Sequence, residues 1–275
     1  MGKKENIAIF EDTRRLSQTH EILRDVVAYA NTYQSIYKQG VPKYVFAPYF
    51  AGPAKVIVSR KRALEAASAY KGQRICVLNF ASAVNPGGGV NWGATGQEES
   101  ICRCSTLYEC LNTKAMWNKF YGPHRKANDL LGGDDLIFTP EIMVFKSDTD
   151  TPVLLDQSQW FICSAITCAA PDLRPDPKTG RRINISNDRL KELHIKRMRN
   201  ILSVAAANGC QVMILGAFGC GTKRNPPEIV AFAMKEVVDE FKCCFETIEF
   251  AVYCEPRDEK NFEVFNRILG GENNT

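Results

Sequence analysis

Histidine, paired cysteine motifs and long apolar runs are scarce in this chain, and each shortage removes a class of function. Only three histidines occur in 275 residues. His20, His124 and His194 lie far apart, and no G-x-S-x-G segment accompanies them. A histidine-assisted serine hydrolase therefore has nothing to build on, and the three read as surface or structural residues. The eleven cysteines include no C-x-x-C pair, and the cluster Cys102, Cys104 and Cys110 has no second half at zinc-ligand spacing. Most of the others sit in apolar runs, such as Cys76 in RICVLNF and Cys163 in WFICSAI. There a free thiol behaves as a small buried hydrophobe, which suits a reducing compartment. The uncharged apolar stretch Trp160 to Pro171 is too short to cross a bilayer. Behind MGKKEN there is no apolar segment of a secretory signal, and Asn6 stands where myristoylation needs Ser or Thr. Charge of one sign is lacking too: 35 Lys and Arg against 31 Asp and Glu leave a net +4. That is too little for a strongly basic nucleic-acid module. The expectation is a soluble cytoplasmic protein, the nucleus being the other reducing compartment, with no membrane partner and no stable protein partner.

Apolar residues make up 45% and charged residues 24% of the chain, the composition of a globular fold. Leu16, Ile22, Leu23, Val26, Val27 and Ala30 fall at helical spacing and predict one amphipathic helix over Arg15–Tyr33. Short extended runs are expected at Tyr44–Ala47 and Val56–Ser59, then a helix-prone stretch over Arg60–Lys71. From Gly72 onward, apolar β-branched runs alternate with helical segments. The strands are expected at Ile75–Phe80, Ile137–Phe145, Phe161–Thr167, Val212–Leu215 and Ile248–Tyr253. The helices are expected at Glu98–Phe120, Ser186–Ala207, Pro227–Phe241 and Asp258–Leu269. Alternation of this kind implies layered α/β architecture with a mostly parallel sheet. Residues 1–70 then form an N-terminal helical accessory region packed on a core of residues 71–275.

Three of the strands run into loops rich in Gly, Pro, Asn or small residues: ASAVNPGGGVNWGATGQEES after Phe80, TCAAPDLRPDPKTG after Ile166, and GAFGCGTKRNPP after Leu215. Ligands of open α/β sheets bind outside the carboxyl ends of the strands. The third loop offers glycines at 216, 219 and 221 and a helix start with Asn225 as N-cap and Pro226 behind it, a setting suited to an anion. It misses the Walker A pattern because Thr222 precedes Lys223, and it misses G-x-G-x-x-G because Arg224 replaces the last glycine. In the first loop, Gly87, Gly88 and Gly89 let a ligand lie against the main chain. Seven residues later come Gln97, Glu98 and Glu99 at a helix start. By spacing alone the two carboxylates could simply complement the helix dipole.

The order GGG, seven residues, QEE, following NFASAVNP, resembles the signature of the microbial type of poly(ADP-ribose) glycohydrolases. EESICRCSTLYECL, LIFTPEIMVFKSD, SAITCAAPDL and LGAFGCGTKRNPPEIVA resemble further blocks of that family in the same order, over about residues 74–254. The resemblance implies a macrodomain-like three-layer α/β/α fold with a mixed, mostly parallel sheet and an N-terminal helical subdomain. It also implies hydrolysis of ribose–ribose O-glycosidic bonds in poly(ADP-ribose) from the exposed end. Poly(ADP-ribose) or ADP-ribosylated macromolecules would be the partners and ADP-ribose the product, with no cofactor and no metal. On the same basis Glu99 would be general acid and then general base, Glu98 would position the ribose hydroxyls, and Gln97 would hold the segment. Asn85, Gly87, Gly88 and Gly89 would cradle the terminal ribose and diphosphate. Gly219, Cys220, Gly221 and Thr222 would bind the diphosphate, and Phe218 would pack beside the terminal ribose.

Two other activities fit parts of the pattern: removal of mono-ADP-ribose from a protein or nucleic acid, and binding of ADP-ribose without cleavage. The paired glutamates argue against the second. The chain departs from the family pattern in GATG before QEE, in Lys223 and Arg224, which could pair with the diphosphate, and in Asp172. Nine basic residues against three acidic ones between Arg174 and Arg199 read as a solvated face, or else as a track for a polyanion.

Overall fold

Ile75–Phe80 is apolar at nearly every position because both of its faces are covered. In a computed structural model, which describes residues 2–38, 49–175, 180, 182–255 and 258–270, this strand is the centre of a seven-stranded sheet. The strands are β1 (Ser35–Tyr37), β2 (Lys55–Ser59), β3 (Ile75–Phe80), β4 (Leu136–Val144), β5 (Phe161–Cys168), β6 (Val212–Leu215) and β7 (Thr247–Ala251). Their order is β1-β4-β5-β3-β6-β7-β2. Strands β5, β3, β6, β7 and β2 are mutually parallel, while β4 runs antiparallel to β5 and to β1. Both edge strands, β1 and β2, come from the first 70 residues.

The helices are α1 (Lys3–Thr19), α2 (Glu21–Tyr33), α3 (Ala63–Ser68), α4 (Gln97–Cys104), α5 (Leu107–Leu111), α6 (Lys114–Met116), α7 (Gly122–Ala127), α8 (Asn187–Ala207), α9 (Pro227–Phe241) and α10 (Lys260–Leu269). Alternate side chains of a strand face opposite sides, and β3 feeds two cores accordingly. Cys76 and Leu78 pack with Ile201, Val237 and Phe265 from α8, α9 and α10. Ile75 and Val77 pack with Leu64, Ile101 and Phe10 from α3, α4 and α1. The result is three layers, helix–sheet–helix. Each fully buried Leu, Ile or Phe contributes about 1.5–3 kcal/mol of burial energy.

Two expected helices are broken. Arg15–Tyr33 divides at His20, which is extended (φ −79°, ψ 125°). The Ser-Gln-Thr run before it holds its helix weakly, and the turn brings Leu23 against Phe145. Glu98–Phe120 is likewise several pieces rather than one. Ser105 is extended (φ −143°, ψ 174°), and its hydroxyl accepts from the Leu107 amide at 3.3 Å. Thr113 then caps α6, and a π-helical turn spans Trp117–Tyr121 before α7. The extended run expected at Tyr44–Ala47 lies outside the described residues. No disulfide joins the cysteines, and eight of the eleven are buried. Among the described residues no helix is long and apolar enough to cross a membrane.

Candidate active site

The carboxyl ends of β3, β5, β6 and β7 open into one cavity of about 1020 Å³, at the upper end of the range of small-molecule sites. Its centre is built where β3 meets α4. Gln97, the first residue of α4, donates from Nε2 to the Leu78 carbonyl at 2.7 Å and accepts the Phe80 amide on Oε1 at 2.8 Å. This two-point clasp fixes the helix start on the strand end, as expected of a residue that holds the segment.

Successive residues of a helix project about 100° apart, so Glu98 and Glu99 cannot share an environment. Glu98 turns inward and is 3% exposed. Its Oε2 accepts the Ser82 amide at 2.7 Å, and Asn79 Nδ2 lies 3.4 Å from its Oε1. Burial pushes the Glu98 carboxyl up to about 8, against the opposing effect of the Ser82 amide and with a further push from Glu99. Glu98 therefore keeps its proton at neutral pH. Glu99 is half-buried, and its Oε1 accepts the Gly89 amide at 2.8 Å. Among the described residues, its Oε2 has no protein donor and is left to the cavity.

The glycines make the room these carboxylates occupy. Gly88 has φ +59°, and a Cβ there would lie 2.5 Å from Glu99 Oε1 and 2.9 Å from Glu98 Oε2. At Gly96 a Cβ would collide with Glu99 Oε2. Gly87 does not line the cavity; a Cβ on it would stand 2.7 Å from the Tyr108 ring, so its absence lets the loop pack there. Asn85 does line the cavity, and its side-chain oxygen accepts from Arg125 Nη2.

On the opposite wall, Gly219, Gly221 and Thr222 line the cavity, and among the described residues their amides have no protein acceptor. Gly219 takes φ +79° and Arg224 φ +61°, whereas Gly216 and Gly221 keep negative φ. Asn225 is not the helix cap. Pro226 occupies that position, and the buried Asn225 side chain instead donates to the carbonyls of Pro171 and Gly219 and meets His194 Nε2 at 3.0 Å. It thus ties the β5 and β6 loops to α8. Burial holds His194 down at about 4, so it is a neutral structural residue. Phe218 lines the cavity; it is 1% exposed, with its ring packed against Phe80 and His194. Cys220 points its Sγ toward the Phe218 carbonyl at 3.9 Å and does not line the cavity.

Several residues at the site carry no motif. Lys223 reaches back from the β6 loop and donates to the carbonyls of Ala81 (2.8 Å) and Ala170 (3.2 Å). Arg62 lies over the Tyr253 ring (3.8 Å) and pairs with Asp150 at one rim. Asn6 of α1 donates to the Gly93 carbonyl at 3.0 Å, so the first helix braces the glycine loop. Asn79 had one sequence signal, a polar residue inside the buried run ICVLNF. The basic stretch after Arg174 is mostly neutralised. Arg174, Arg189, Lys191, Lys196, Arg197 and Arg199 pair with Asp172, Glu192, Glu236, Asp134 and Glu240; Lys178 and Arg181 lie outside the described residues. A solvated, internally paired face fits this better than a polyanion track. No cluster able to hold a metal occurs among the described residues.

A family model described as the microbial-type PARG catalytic domain matches residues 4–147. Among solved structures, poly(ADP-ribose) glycohydrolase from Thermomonospora curvata superposes with a TM-score of 0.81 at 26% identity, covering 96% of this chain and 99% of the other. The same enzyme bound to the inhibitor ADP-HPD gives 0.79 at 26% identity with the same coverage. The Deinococcus radiodurans enzyme in complex with ADP-ribose gives 0.76 at 28% identity, over 89% of this chain and 97% of that one. No curated protein matches the chain.

Proposed function

We infer the function from one premise: the chain belongs to the microbial-type poly(ADP-ribose) glycohydrolase family. It hydrolyses the ribose–ribose O-glycosidic bond of poly(ADP-ribose), working from the exposed end and releasing ADP-ribose. The observation that carries this reading is one cavity with two complementary walls. On one wall a half-buried carboxylate, Glu99, has one oxygen anchored by the Gly89 amide and the other open. On the other, the amides of Gly219, Gly221 and Thr222 are available to a diphosphate.

Bond cleavage needs a proton on the departing 2′-oxygen and then a water relieved of its own proton. Glu99 supplies both transfers in turn, the acid form giving the first proton and the carboxylate accepting the second. Glu98 cannot be the opposed second carboxylate of the usual glycosidase pair, which stands about 5–9.5 Å across the bond. It is adjacent in sequence, buried and protonated. Its role is to fix the ribose-side wall through Ser82 and to offer a neutral carboxyl to the sugar hydroxyls. Positive charge developing on the ribose is stabilised by the nearby diphosphate, itself held by the backbone amides.

Reading the chain as a mere ADP-ribose binder leaves Glu99 without a purpose, since Gly88 and Gly96 are kept bare to accommodate it. The test is Glu99→Gln against wild type, with poly- and mono-ADP-ribosylated substrates, measuring release and ADP-ribose binding separately. The expected result is release from polymer reduced by at least about 10³-fold, within the range of lost acid–base catalysis, with binding retained. Unchanged release removes the assignment, and release confined to mono-ADP-ribosylated substrate replaces it.

A further inference from the structure

Lys223 is a cation of the site whose placement the reaction above does not use. It leaves the β6 loop, crosses beneath the cavity and hydrogen-bonds the carbonyls at the ends of β3 and β5, Ala81 and Ala170. A single side chain thereby joins the three loops that form the site. Holding two carbonyls requires only two N–H groups, which a neutral amide side chain also supplies. Drawing an ammonium partly out of water costs free energy in lost hydration, so the charge needs an explanation of its own. An ammonium has three donors, and among the described residues the third has no protein acceptor. Two cations at the rims are already committed: Arg62 to Asp150 and Arg174 to Asp172. Among the described residues Lys223 has no ion pair, although it lines the same cavity as Glu98, Gly219 and Thr222.

We propose that Lys223 is a binding residue for the anionic part of the substrate, spending two N–H groups on the loops and presenting the third to a diphosphate oxygen. This rests on the function inferred above and deepens it. The site then recognises the diphosphate by a fixed charge as well as by backbone amides, and the arrival of the ligand reinforces the contact that keeps the three loops in register.

The charge is sensitive to pH. Burial lowers the Lys223 ammonium to about 8, opposed by Glu98, Asp172 and Cys168 and assisted by Arg197. Below that pH the ammonium is charged, and above it the charge is lost. Glu98 titrates in the same range, so the pH arm of the test is run in Glu98→Gln. ADP-ribose binding is measured calorimetrically for wild type, Lys223→Met and Lys223→Arg at pH 7, and for Glu98→Gln with and without Lys223→Met from pH 5 to 10. A lost hydrogen bond to a charged group predicts about 10- to 100-fold weaker binding in Lys223→Met, with part of it restored in Lys223→Arg. In Glu98→Gln, where the carboxyl that raises the Lys223 value is gone, the affinity falls as pH rises through a point below about 8, and Lys223→Met abolishes that fall. Wild-type affinity in Lys223→Met, or a pH dependence that survives it, overturns the role. If Lys223→Met does not fold, the single Glu98→Gln protein decides, because an affinity flat to pH 10 overturns the role equally. Failure of the wild type itself to bind ADP-ribose overturns the inferred function and this role with it.

Discussion

Replacing Gly88 by alanine adds one methyl group and should nearly silence the enzyme while leaving it folded. The residue sits at φ +59°, where an L side chain costs about 1–2 kcal/mol. That strain alone lowers the unfolding midpoint by a few degrees, at about 2–4 °C per kcal/mol for a chain near this size. Catalysis suffers more. The new Cβ would stand 2.5 Å from Glu99 Oε1 and 2.9 Å from Glu98 Oε2, about 1 Å inside the 3.5–4.0 Å of ordinary contact. Glu98 is pinned by the Ser82 amide and has nowhere to go. The displacement therefore falls on Glu99 and on its bond from Gly89, neighbour to the substituted residue. Misplacing a catalytic group by 1 Å costs about 10²-fold. The assay is initial-rate release of ADP-ribose from polymer, alongside thermal unfolding and ADP-ribose titration. A variant with wild-type kcat would refute the argument that this glycine exists to clear space for the carboxylates.

Gly221→Ala should separate ligand from fold. A Cβ there meets nothing within 4 Å in the free protein, so thermal stability should hold or rise slightly, while ADP-ribose, lying against that loop, should bind at least about tenfold more weakly by calorimetry. Glu98→Gln should be more stable than wild type toward neutral pH. The folded pKa of Glu98, about 8, is above the ordinary 4.5, so the folded state holds the proton longer than the unfolded chain. Wild-type stability is then lost progressively as pH rises from about 4.5 to 8, by a few kcal/mol, and the gap in unfolding midpoint should widen over that interval. His194 has the opposite sign: its folded value of about 4 lies below the ordinary 6.5, so stability is lost as pH falls through that window. His194→Phe should abolish that acid limb in chemical denaturation, at a cost of about 1–3 kcal/mol for leaving Asn225 Oδ1 without its donor.

Strands β3 and β6 were legible to the residue, because a parallel strand covered on both faces must be apolar throughout and ends where its loop begins. β1 carried no such mark. Three residues long and partly exposed, Ser35–Tyr37 is a strand only because β4 lies beside it. The breaks at His20 and Ser105 were only faintly marked, by a Ser-Gln-Thr run and a lone serine, because where the flanking helices find a core completes each. At the site, GGG and QEE could be read as a pair, and Gln97 does clasp the strand. The division of labour between Glu98 and Glu99 could not be read, as it depends on which side of a helix faces the sheet. Asn225 looked like a helix cap because its position and type were right. It was claimed instead by a carbonyl of the β5 loop, one of its own loop, and His194 of α8. How far Phe218 sinks into the core was hidden too: in a strand-end loop an aromatic can turn toward ligand or core, and here it lines the cavity while packing on Phe80 and His194.

The pairing of β2 with β7 also sets a timetable for synthesis. Lys55 aligns with Thr247, so about 190 residues must be made after β2 before its partner exists, about 10–40 s at typical translation rates. During that interval Val56, Ile57 and Val58 have no sheet to join, and the nascent chain presents a short β-branched edge to its neighbours. Successful production of this enzyme should thus depend on what shields that segment on the ribosome, and slowing elongation should lower the soluble yield rather than raise it.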